Sequence, residues 1–226
     1  MAGGDAGDAG GFFSASSEPV WYGDVDIGDI PADVPLSASG IMNIVSVAPD
    51  YNTNVFVGHF DVSGFGVSTV NGIGFQVLED FSQMGTGRFR IFYLVGNFEG
   101  FLFEIDGLNV TRNWSYFYNP NFGDFGSLNV SVSGPGGGTA VHVLSEAERL
   151  SIGSIDTFGM GVTPQESIPV TGDSEIYFDN LSYSLLASEE RYVPIPTLGF
   201  WGLLLLGCSL IFLVASRTDH RPKARL

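Results

Sequence analysis

Cysteine occurs once in this chain, at Cys208. An intrachain disulfide framework and a cysteine-built metal site are therefore excluded. Lysine also occurs once, and the first 196 residues carry five arginines against 24 aspartates and glutamates. So acidic a surface repels phosphate backbones, which argues against nucleic acid as a partner. Helical periodicity is nearly missing: only Ser145–Leu150 suggests a turn or two. Catalytic signatures are scarce as well. There is no Gly-x-Ser-x-Gly elbow and no His-Glu-x-x-His helix. The three histidines stand apart, His59 and His142 within strand patterns and His220 near the end; a lone strand histidine is ordinarily structural. Gly134–Gly138 has no helix behind it, so it reads as a hairpin loop and not a phosphate cradle. The expectation is a protein that is not an enzyme. A small glycan hydrolase stays as a distant alternative, because the separation of its two carboxylates is set by the fold.

Glycine (31) and phenylalanine (19) are abundant, and strand patterns run from about residue 36 to 186. Leu128, Val130 and Val132 alternate with Asn129, Ser131 and Ser133, the mark of a strand with one wet face. Phe89–Val95, Phe101–Ile105, Val55–Val62, Ile73–Leu78 and Ala140–Leu144 are further runs. Turn chemistry separates them at Asn71-Gly72, Gly85-Thr86-Gly87, Asp106-Gly107 and Gly134–Gly138. Short strands with glycine-rich turns predict an all-β, antiparallel β-sandwich over residues 20–186, jelly-roll-like because no Cys/Trp immunoglobulin framework exists. In the last strand Ile176 and Phe178 share a face, while Leu181, Tyr183 and Leu185 continue in the opposite phase. A bulge at Asp179-Asn180 reconciles them. Residues 1–19 read as a disordered, low-complexity N-terminus. They lack the basic and apolar regions of a signal peptide, so the expectation is that the start is misassigned or the chain is a fragment.

Two clusters are candidate ligand sites. The first is acidic: Asp24, Asp26 and Asp29, spaced with glycine, offer the hard oxygens that a structural Ca2+ needs. The same residues also suit a solvated acidic loop. The second is aromatic: Trp114, Tyr116 and Tyr118 fall on one face of a strand and are candidate glycan contacts. Inward packing is the competing reading, and it is the commoner one in sandwiches.

The C-terminal region carries the most specific signal. Pro194 and Pro196 end the linker of residues 187–197, and Leu198–Ala215 is free of charge. A helix of that length reaches roughly 27 Å, close to the hydrocarbon thickness of a bilayer. Arg217, Arg221, Lys223 and Arg225 follow. By the positive-inside rule a membrane helix at 198–216 leaves a basic cytoplasmic tail at 217–226 and the N-terminal domain outside. The order Ile195-Pro196-Thr197-Leu198-x-x-Trp201-Gly202, leucine-rich span and basic end resembles the IPTL-CTERM sorting signal, a variant of the PEP-CTERM tails of bacterial surface proteins. The resemblance covers about residues 193–225. It departs from the pattern where Gly207-Cys208-Ser209 interrupts the span and where Asp219, His220 and Pro222 spread out the basic end.

This resemblance implies a Gram-negative envelope protein. Its tail would sit in the inner membrane until an exosortase recognises Ile195, Pro196, Thr197, Leu198, Trp201 and Gly202, and the domain would then reach the cell surface or exterior. Separately, Glu175–Leu181 resembles the closing strand of carbohydrate-binding-module jelly rolls. That likeness implies Asp179 as a further calcium ligand. The resulting expectation is an exported surface or matrix protein with a non-enzymatic sandwich. The alternative is a lectin-like module whose partner is extracellular polysaccharide.

Overall fold

Strand Ser127–Val132 sets the rule for the whole domain: its leucine and valines point inward and are buried, while Asn129 and Ser131 are only partly covered. The computed structural model describes residues 2–7, 12–14, 20–25, 27–46, 53–64, 70–79, 87–164 and 173–185. Within them lie thirteen strands, one short α-helix and a single 3-10 turn at Val62–Gly64. The strands are β1 (Ala2–Gly7), β2 (Phe12–Ser14), β3 (Val20–Asp24), β4 (Leu36–Ser46), β5 (Thr53–Phe60), β6 (Gly72–Glu79), β7 (Arg88–Gly96), β8 (Phe98–Asp106), β9 (Thr111–Asn119), β10 (Ser127–Val132), β11 (Gly138–Val143), β12 (Thr157–Pro164) and β13 (Asp173–Leu185). Helix α1 covers Glu146–Ser151.

All pairings between these strands are antiparallel. One sheet runs β1-β13-β4-β9-β10-β11, with β2 also on β13; the other runs β3-β12-β5-β6-β7-β8. The inner faces of the two sheets share one core, which includes Leu36, Met42, Ile44, Phe75, Phe89, Ile91, Leu128, Phe158 and Phe178. The chain is thus an all-β sandwich of two antiparallel sheets.

Residues 1–19, read above as disordered, contribute β1 and β2 beside β13. Edge pairing uses backbone groups, so a glycine- and alanine-rich sequence gives no side-chain pattern that announces it. The chain divides into two units, Met1–Ser188 and Glu189–Leu226. The second lies wholly outside the described residues. Among the described residues no helix is long and apolar enough to cross a membrane; the expected span at 198–216 is not among them.

The expected phase change in β13 is present. The pairing register with β4 shifts between Asp179 and Ser182, and Asn180 takes φ 52°, a left-handed conformation that asparagine tolerates better than most residues. Ile176 and Phe178 before the bulge are buried, and so is Leu181 after it. Helix α1 is held by a capping box. The Ser145 hydroxyl accepts from Glu148 N, and the Glu148 carboxylate accepts from Ser145 N at 2.7 Å.

At one end of the sandwich Arg112 is 1 % exposed. Its guanidinium donates to the carbonyls of Ser133 (3.1 Å), Pro135 (3.0 Å) and Asp106. A single side chain thereby fastens the β8–β9 connection to the β10–β11 turn. The second sheet has a different peculiarity. Gly23, Gly159, Gly58 and Gly74 stand opposite one another on four neighbouring strands. A β-carbon on Gly74 would come within 2.1 Å of the Val57 carbonyl oxygen, and one on Gly58 within 2.6 Å of Phe56 Cζ. The Phe56 ring thus occupies the space that a side chain at Gly58 would need.

Candidate functional site

Strand β9 presents two faces of different chemistry. Trp114, Tyr116 and Tyr118 are 2 %, 2 % and 0 % exposed. Trp114 packs against Phe75, ring centroids 5.5 Å apart, and the Tyr118 hydroxyl donates to Ala32 O at 2.8 Å. The aromatic row is therefore core, and its assignment as a glycan contact is corrected: buried rings cannot stack on a sugar. The alternate residues Asn113, Ser115 and Phe117 face outward and are exposed.

The outward residues fall into rows because the strands are in register. Ser182 of β13 stands opposite Ser39 of β4, Ser39 opposite Ser115 of β9, Ser115 opposite Ser131 of β10, and Ser131 opposite Thr139 of β11. Five adjacent strands thus each place a hydroxyl in one line. The neighbouring line reads Ser184, Ser37, Phe117, Asn129 and Val141. On the far side of Ser182 the register continues to Asp5 of β1.

Two pairs within the first line bond to each other, Ser39 Oγ with Ser182 Oγ at 3.1 Å and Ser131 Oγ with Thr139 Oγ1 at 2.9 Å. Central Ser115 makes no side-chain hydrogen bond among the described residues. These residues line a shallow depression of about 450 Å³. No described residue lining it is charged, although the chain as a whole carries a net charge of −16.

The bulge delivers part of this face. Were residues 176–185 to alternate regularly, with Asn180 kept but not bulged, Ser182 and Ser184 would share the inward phase of Ile176 and Phe178.

The acidic candidates do not converge. Asp24 accepts a hydrogen bond from the Tyr183 hydroxyl at 2.7 Å; burial, and after it this bond and the carboxylate's charge, push that tyrosine's pKa up to about 12. Asp29 accepts from Ser154 Oγ at 3.5 Å, and Asp179 from the Asn180 backbone N–H at 2.7 Å. Asp26 lies outside the described residues. Among the described residues no three His, Cys, Asp or Glu side chains gather closely enough to hold a metal. The sorting residues Ile195, Pro196, Thr197, Leu198, Trp201 and Gly202 also lie outside the described residues.

One cluster has the composition of a catalytic triad but the wrong order. The Ser145 hydroxyl donates to Glu148 Oε2 at 2.8 Å, and Glu148 Oε1 lies 2.8 Å from His142 Nε2. Nucleophilic catalysis needs the imidazole between hydroxyl and carboxylate, so that it can take the hydroxyl proton. Here the carboxylate is in the middle. Partial burial pushes the Glu148 pKa up, but bonds from Ser145, His142 and Tyr93 outweigh it and hold the group below its usual range. His142 lies flat on Tyr93, centroids 3.7 Å apart. The arrangement is a helix cap.

No protein family and no curated protein matches the chain. Solved structures resemble it at a distance. A CBM2 module of the evolved Dit protein of Lactobacillus casei BL23 phage J-1 is 13 % identical over 69 % of this chain, with a TM-score of 0.43. The match covers 66 % of that module, so the chain spans just under two thirds of it. An alginate lyase from Pseudomonas aeruginosa is 15 % identical over 77 % of this chain and 85 % of its own (TM-score 0.45). The carbohydrate recognition domain of Emp47p is 11 % identical over 82 % and 88 % (TM-score 0.44). Likenesses this distant assign no activity.

Proposed function

We propose that this chain is an exported cell-surface or matrix protein whose jelly-roll-like sandwich is a non-enzymatic carbohydrate-binding module, delivered by its IPTL-type tail. The observation that carries the binding half is the line of hydroxyls on five strands. A polyol surface of small, wet side chains beside an exposed phenylalanine suits sugars, which offer hydroxyls at their rims and apolar C–H faces.

The delivery half rests on the sequence from Ile195 to Arg225. In this reading the membrane and an exosortase are the tail's partners, and extracellular polysaccharide is the domain's. The tests are separate. Fractionation of the native host, with mass spectrometry of the mature C-terminus, should find envelope or released protein cut near the IPTL motif. Uncut protein in the cytosol would overturn delivery. A glycan array probed with full-length protein in detergent micelles should light up polysaccharides; a blank array would overturn binding.

A further inference from the structure

We propose that the outer face of the β13-β4-β9-β10-β11 sheet takes one particular glycan class: a neutral, unbranched chain lying across the strands, centred on Ser115 and Phe117. This rests on the carbohydrate-binding reading above and narrows it.

The period of the face carries the direction. Neighbouring strands lie about 4.8 Å apart, so the five hydroxyls from Ser182 to Thr139 span about 19 Å. An extended pyranose polymer repeats at nearly the strand spacing. A chain laid along the row meets one hydroxyl per ring, whereas a chain laid along a strand would fall out of step. The pairs Ser39–Ser182 and Ser131–Thr139 each use one of their two hydroxyl protons internally. Each pair keeps a proton to donate outward and lone pairs to accept, and Ser115 has its full capacity.

Phe117 is 38 % exposed and stands next to Ser115, between Ser37 and Asn129. It offers a ring face at the middle of the row, with hydroxyl and amide neighbours on both flanks.

Charge decides the class. Polyuronates and sulfated glycans require cationic donors, and no described lining residue is Arg, Lys or His. The molecule's net charge of −16 repels such polymers before contact. A neutral glycan escapes that repulsion, and its binding should be nearly indifferent to salt.

The test is affinity electrophoresis of the full chain in detergent against hydroxyethyl cellulose, glucomannan, alginate and polygalacturonate. The expected result is retardation by one or both neutral polymers and by neither acidic one, unchanged between low and high NaCl. Phe117→Ala should weaken binding roughly tenfold, the loss of one stacking contact. Ser115→Glu should abolish it, with thermal melting and circular dichroism kept. If Ser115→Glu does not fold, Thr139→Val on edge strand β11 replaces it and should weaken binding severalfold. Neutral binding that survives both Phe117→Ala and the serine or threonine variant would overturn this site while leaving a carbohydrate-binding module elsewhere on the domain. Preference for alginate or polygalacturonate would overturn the class. No binding to any polysaccharide would overturn both this inference and the reading on which it rests.

Discussion

His59 Nδ1 lies 2.5 Å from the Tyr116 hydroxyl, joining β5 of one sheet to β9 of the other through the middle of the core. Phe158 and Tyr183 wall the imidazole, at centroid distances of 5.0 and 5.8 Å. Nothing of His59 is exposed, and desolvation lowers its pKa to about 3. The ring is neutral throughout the physiological range.

A pH dependence follows, with a definite sign. Unfolding releases His59 to an ordinary pKa near 6.5, so between pH 6.5 and about 3 the unfolded chain holds more protons. Its stabilising contribution is complete above pH 6.5 and is lost as pH falls towards 3, at roughly 1 kcal/mol per unit. Urea titrations at pH 6.5 and 5, above most carboxylate titration, should show the loss. The double variant His59→Leu/Tyr116→Phe, which removes both polar partners, should flatten the profile over that interval. An equal slope in the variant would assign the dependence to other groups.

The bulge in β13 gives a graded series. Asn180→Gly should keep full stability, because glycine adopts φ 52° freely. Asn180→Val should cost about 1–2 kcal/mol in a denaturant midpoint. Deleting Asn180 should leave the domain folded, since it restores plain alternation with Leu181 still inward and Ser182 and Ser184 still outward. Deletion protein that is insoluble or melts without cooperativity would refute that phase argument.

Glycine positions separate crowding from backbone strain. Gly74→Ala forces a β-carbon to within 2.1 Å of a backbone carbonyl and should lower stability by several kcal/mol or abolish soluble expression. Gly28 has φ +71° and open space around it, so Gly28→Ala should cost only about 1 kcal/mol. Thermal melts of the pair provide the comparison.

The two faces of β9 should behave as separate properties. Trp114→Ala removes a buried ring and should cost about 3–5 kcal/mol by chemical denaturation. Phe117→Ala, on the wet face, should change stability by less than about 1 kcal/mol.

Much of this architecture is legible in the chain itself, for identifiable reasons. Leu128–Ser133 alternates without interruption, so its wet and dry faces are evident before folding. The β13 bulge shows as a change of phase between Phe178 and Leu181, because both sides of it carry large apolar residues. Strand β9 is harder. Aromatics occupy both of its faces, and Phe117 on the outside disguises which row is interior. The hydroxyl line could not be read at all. Its members come from five strands spread between Ser39 and Ser182, and only the pairing register, a product of the whole fold, brings them together. Strands β1 and β2 escaped notice because backbone pairing on an edge asks almost nothing of sequence.

The clamp at Arg112 has a bearing on how the domain is made. Its three carbonyl bonds tie together loops that many exported domains would stitch with cystine, yet the chain's only thiol is Cys208. A guanidinium keeps its charge whatever the ambient redox potential. Maturation of this sandwich requires neither an oxidase nor an isomerase, and reductants such as glutathione have nothing in it to cut.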